Sequence, residues 1–187
     1  MNPLLAEFIV NTVAGIVGVF VGVWLALITE RHREERRETQ RKEERAAQFG
    51  RARHTVLGSV VKNTSEATRL RNRIDERKSF EIINTDLEVA VWNAVQSEFM
   101  EACHDIDERV RFAQFFDGVR GLQAYFEFHR DLQLSIAGAV DDDDPELAII
   151  LKDADQRLRD LSDEQRLNGV LLVTDFGEPV HKRLLGL

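Results

Sequence analysis

Residues 21–45 read VGVWLALITERHREERRETQRKEER, and within them the chain passes from wholly apolar to wholly charged with no proline or turn signal between. One continuous helix is the natural reading, carrying two different solvents along its length. Upstream, every residue from Phe8 to Ile28 is apolar or small except Asn11 and Thr12. Roughly 21 helical residues at ~1.5 Å each span about 30 Å, the thickness of bilayer hydrocarbon. The pattern predicts a transmembrane helix over 8–28. A buried soluble helix rarely stays apolar on all sides for so long, and a cleaved signal peptide carries its positive charge before the apolar run, not after it.

The flanks give the orientation. MNPLLAE holds no Lys or Arg, whereas Arg31, Arg33, Arg36, Arg37, Arg41, Lys42 and Arg45 crowd the other side. The positive-inside rule then leaves residues 1–7 outside and puts the carboxyl-terminal part in the cytoplasm. Arg31, Arg33, Arg36 and Arg37 lie close enough to the bilayer to touch anionic headgroups, since screening removes that attraction beyond ~10 Å. The single cysteine, Cys103, supports no disulfide framework and has no ligand partners at zinc spacing, so neither a structural metal site nor a cofactor is expected.

Within the span the small residues are ordered. Ala14, Gly18, Gly22 and Ala26 recur every fourth position, and Asn11 lies on the same side. Lipid solvates Leu as well as another helix does, so association in a bilayer depends on close van der Waals packing and hydrogen bonds, which small residues and one Asn supply. Self-association into a homo-oligomer through this face is the expectation.

Residues 29–46 form a charged juxtamembrane helix. No apolar seam runs through it, which excludes a coiled coil, while Glu30–Arg33, Glu34–Arg37 and Glu38–Lys42 have helical ion-pair spacing. With Glu interleaved among the Arg, no stacking aromatics and a chain charge of −8, nucleic acid is not an expected partner.

From residue 47 to 187 the pattern is that of an all-α bundle of about five helices. Phe49, Arg53, Val56, Val60, Asn63, Ala67, Leu70 and Ile74 alternate by three and four, with Arg53 and Asn63 as polar interruptions that set register. Thr85 and Glu88 have capping-box spacing ahead of a second helix bearing Val91, Trp92, Val95 and Phe99. A third starts near Asp105 or Asp107, and its Phe112, Phe115, Phe116, Val119, Leu122 and Phe126 read as core, with Gly118 and Gly121 permitting close approach. Asp141–Asp144 followed by Pro145 signals the start of a fourth, bearing Leu147, Ile150, Leu151, Ala154, Leu158 and Leu161. A last helix carries Leu167, Val170, Leu171 and Phe176 and breaks near Gly177 and Pro179. No alternating strand pattern competes with these.

The order of features resembles a loosely defined group of uncharacterised prokaryotic single-span membrane proteins with an arginine-rich juxtamembrane helix and a small helical cytoplasmic domain. GVWLALITERHREERR (22–37), the helix containing Asn63, and NTDLEVAVWNAVQSEF (84–99) carry the resemblance. It implies no activity and no site residue; a few such architectures act as membrane effectors in antiviral defence.

No glycine-rich phosphate loop, nucleophile elbow, His-Glu-x-x-His or calcium loop occurs. The densest cluster of reactive side chains is Glu101, Cys103, His104, Asp105, Asp107 and Glu108, which also fits the cap of the third helix. No catalytic residue is assigned. The sequence therefore favours a membrane-anchored, self-associating helical interaction protein with a cytoplasmic protein partner. An oligomeric pore or defence effector is the first alternative, and a tethered enzyme with an unidentified site the second.

Overall fold

The computed structural model describes the backbone of residues 3–76, 85–138 and 145–187, and the side chains of 18, 21–76, 85–136 and 146–187. Among the described residues the protein is all-helical, with α1 (Pro3–Glu76), α2 (Ala90–Ala102), α3 (Ile106–Gly138), α4 (Pro145–Phe176) and α5 (Pro179–Leu184). The chain divides into two compact units, Met1–Ala47 and Gln48–Leu187.

The first unit belongs to α1 alone. No residue there breaks helix geometry, and the polar stretch is laced by short-range contacts, Arg33 to Glu30 at 4.0 Å and Arg31 to Glu35 at 3.9 Å. Such exposed pairs add a few tenths of a kcal/mol each. Among the described residues no helix is long and apolar enough to cross a membrane. The span expected over 8–28 falls largely outside them, since the side chains of residues 1–17, 19 and 20 are not described.

The second unit is built on the amphipathic part of α1. Val56, Leu57, Val60 and Val61 share one buried cluster with Trp92 and Phe99 of α2, Phe112, Phe115, Phe116 and Val119 of α3, and Leu172 and Val173 of α4. Trp92 stacks on Phe116 with ring centres 4.8 Å apart and planes 6° from parallel. Phe99 meets Phe112 edge to face at 5.1 Å. Further along, Ala67, Leu70 and Ile74 close a second cluster with Leu122, Phe126 and Leu158. The stripe on α1 thus packs on its own domain, and Phe112, Phe115, Phe116 and Phe126 of α3 are core.

Asn63 and Arg53, the interruptions in the α1 stripe, are both satisfied. Asn63 is fully buried and exchanges two bonds with one residue: the Glu88 N–H donates to Asn63 Oδ1, and Asn63 Nδ2 donates to the Glu88 carbonyl, each at 2.8 Å. A side-chain amide here does the work of a backbone ladder and pins the connection before α2 to a single register. Lys62 adds contacts to Glu88 at 2.8 Å and Asp86 at 3.1 Å. The hydrogen bonds of these two carboxylates hold the Lys62 pKa above its ordinary value.

That arrangement overturns the capping box. α2 begins at Ala90, its cap residue is Val89 with no side-chain bond, and the Thr85 hydroxyl is buried without a partner. Glu88 is already engaged by α1, which outcompetes the local motif.

α3 begins as the acidic residues predict. The Asp105 carboxylate accepts from the N–H of Asp107 at 2.9 Å and of Glu108 at 3.3 Å. Of Gly118 and Gly121 only Gly118 is needed for approach, since a Cβ there would collide with the Gln165 amide; at Gly121 the space is open. Asp141–Asp144 lie outside the described residues, although α4 does start at Pro145.

The expected break between a fourth and a last helix is absent, and α4 runs unbroken to Phe176. Ser162 bonds back to the Leu158 carbonyl at 2.7 Å and continues the helix. The buried line along α4 is Leu151, Ala154, Leu158, Ser162, Gln165, Gly169, Leu172 and Val173, so the expected Leu151, Ala154 and Leu158 are core, whereas Ile150, Leu167 and Leu171 face outward. The stop at Gly177 and restart at Pro179 are as expected.

Candidate functional site

The association residues divide at the limit of the described side chains. Asn11 and Ala14 lie outside it; Gly18, Gly22 and Ala26 are exposed, and nothing lies within 4 Å of a Cβ built at Gly18 or Gly22. At about 100° per residue, Gly18, Gly22 and Ala26 cover one arc of α1, while Val21, Val23, Trp24, Leu25 and Leu27 occupy the rest. These bulky residues are exposed too, Trp24 by 63% and Leu27 by 65%. Arg31, Arg33, Arg36 and Arg37 are all exposed, Arg31 and Arg33 beside Glu35 and Glu30.

The reactive cluster at 101–108 is not a shared helical face, because residues 103–105 break the chain between α2 and α3. Glu108 turns inward and pairs with Arg53 at 2.7 Å. The Cys103 thiol is buried and donates toward the Asp105 carbonyl at 3.4 Å and Glu108 Oε2 at 3.7 Å. Burial, reinforced by the Glu108 charge, pushes that thiol pKa up, opposite to what a nucleophile needs. His104 is exposed and sits 3.0 Å from the Ala102 carbonyl. The cluster is a helix start joined to a cross-helix ion pair.

A second set of reactive side chains, invisible as a motif, is assembled by tertiary structure. His54 of α1, Glu178 at the start of α5 and His181 within α5 bring one potential ligand atom each to within 4.8 Å of one another. All three belong to the unit Gln48–Leu187. Gly177 ends α4, and Glu178 in extended conformation leads into Pro179 at the first helical position, so Glu178 and His181 stand one turn apart. His54 Nδ1 is 3.7 Å from Glu178 Oε2, and the two imidazole rings meet edge on at 4.8 Å. His54 and Glu178 are open to solvent, but His181 is 3% exposed and its Nδ1 is buried without a hydrogen-bond partner. Burial pushes the His181 pKa below its ordinary value; His54 adds to that and Glu178 opposes it.

Two other polar features are structural. His129 and Asp155 join α3 to α4 at 2.6 Å. A groove of about 160 Å³ lined by Arg111, Gln114, Phe115, Asn168, Leu171 and Leu172 is well below the roughly 300–1,000 Å³ of small-molecule sites.

No family model, curated protein or solved structure matches this chain.

Proposed function

We propose that this protein is a membrane-anchored, self-associating interaction protein whose first unit holds α1 in a bilayer and whose second unit is presented on the cytoplasmic side. The observation that carries the reading is the bare apolar surface of α1 at Val21, Val23, Trp24, Leu25 and Leu27. Large side chains of this kind each gain about 1.5–3 kcal/mol on leaving water. A helix wetted on every side would forfeit that gain, whereas hydrocarbon supplies it without any packing partner. The abrupt change at Glu30 and Arg31 then marks the headgroup level, with Arg31, Arg33, Arg36 and Arg37 on anionic lipid and Trp24 at the aromatic belt.

Self-association rests on the arc containing Gly18, Gly22 and Ala26, extended by Ala14 and Asn11 in the sequence. Leu at Gly18 and Gly22 would separate neighbouring helices by a side-chain width without impairing insertion. Cysteine crosslinking in native membranes tests this, with Leu at Val19 and Val23 as the control pair. Crosslinking is expected to fall only for the glycine pair. Equal crosslinking in wild type and both variants would make the helix a passive anchor.

A further inference from the structure

We propose that His54, Glu178 and His181 form a binding site for one divalent transition-metal ion, zinc by ligand type, which fastens α5 to α1. The expectation of no metal site rested on Cys103; these three residues are a different set. Two imidazoles and one carboxylate are the protein ligands of open zinc sites, which complete their shell with water. Magnesium and calcium prefer all-oxygen shells, so they fit this donor set poorly.

The geometry is near a bound arrangement. Donors about 2.0–2.1 Å from a tetrahedral ion stand roughly 3.3 Å apart. His54 Nδ1 and Glu178 Oε2 are already at 3.7 Å, and the whole set lies within 4.8 Å. His54 and Glu178 are solvent-exposed side chains with rotational freedom, so they can close the remaining distance while buried His181 stays fixed.

The independent observation is the unpartnered Nδ1 of His181. A buried polar atom without a partner forfeits its hydration with nothing in return, and native proteins rarely leave one in place. Two imidazoles packed edge to face beside a carboxylate bring three potential ligand atoms together, and a cation draws such groups closer. The site also answers a structural need. α5 has six residues, too few to hold a helix by its own hydrogen bonds, and its attachment rests on buried His181 and the partly buried Leu185. A metal bridging to α1 would make release of α5 depend on release of the ion.

The test uses the full chain in detergent micelles, stripped with chelator and titrated with zinc sulfate, with magnesium chloride as control. His54→Ala and Glu178→Gln are the variants, because both positions are exposed and neither contributes to the core. One equivalent of zinc should bind the wild type. Each variant should weaken binding by more than the roughly 10–100-fold typical of losing an outer-shell partner. Zinc at a hundred times its Kd should slow tryptic cleavage after Lys182 and Arg183 roughly a hundredfold in the wild type and leave the variants unchanged. Absence of saturable zinc binding, or binding retained at full strength in either variant, would overturn the site.

Discussion

α1 carries hydrophobic residues in two regions that meet opposite surroundings. Between Val21 and Leu27 they cover most of the circumference and lie open; Trp24 and Leu27 are exposed by 63% and 65%. Between Val56 and Ile74 they fall on one stripe, and Val56, Leu57 and Val60 are entirely buried against α2, α3 and α4. Hydrophobic content alone does not separate the two. Arrangement does: a stripe at helical period needs one protein partner, whereas an apolar belt with a small-residue arc suits a medium that surrounds it.

The contrast is broken most sharply by truncating a large side chain on either side of it. Phe116→Ala removes the ring stacked on Trp92 and should cost about 3–5 kcal/mol, read by denaturant unfolding of the full chain in micelles. Leu25→Ala should change the same transition by less than about 0.5 kcal/mol. Comparable losses would mean that residues 21–27 are packed against protein.

Three smaller effects sharpen the picture of the second unit. Asn63→Ala leaves the N–H and carbonyl of Glu88 without their partner and should cost about 1–3 kcal/mol. Hydrogen exchange at the Glu88 amide should speed up correspondingly. Gly169→Ala forces a methyl against Thr64 and Phe115, with a loss of about 1–3 kcal/mol by thermal unfolding. Gly58, on the same helix as Asn63, has open space around it, so Gly58→Ala should instead add about 0.5–1 kcal/mol.

The regions differ in legibility as well. The α1 stripe and the Phe residues of α3 were readable because apolar residues at a 3–4 spacing leave one solution for their burial. The phase of the second half of α4 was not, since beyond Leu151, Ala154 and Leu158 its buried line passes through Ser162, Gln165 and Gly169. These residues look like a break, yet each serves a contact: Gln165 Nε2 donates to the Phe115 carbonyl at 3.0 Å, and Gly169 admits Thr64. The Thr85–Glu88 motif misled for a related reason. A capping box is local, and the Asn63 amide facing Glu88 belongs to another part of the chain. The set His54, Glu178 and His181 left one faint sign, a Glu and a His one turn apart beside Pro179. Nothing in spacing could attach His54 to it, because the connection exists only once folding brings Glu178 and His181 against His54.

The bilayer reading of the first region is tested most directly by protease treatment of sealed vesicles holding the full chain. Inside-out vesicles expose the cytoplasmic face and right-side-out vesicles conceal it. The account predicts that residues 48–187 are digested only in inside-out vesicles, and that a fragment containing residues 8–28 stays with the membrane through alkaline extraction. Digestion only in right-side-out vesicles, or release of the intact chain by alkali, would contradict it.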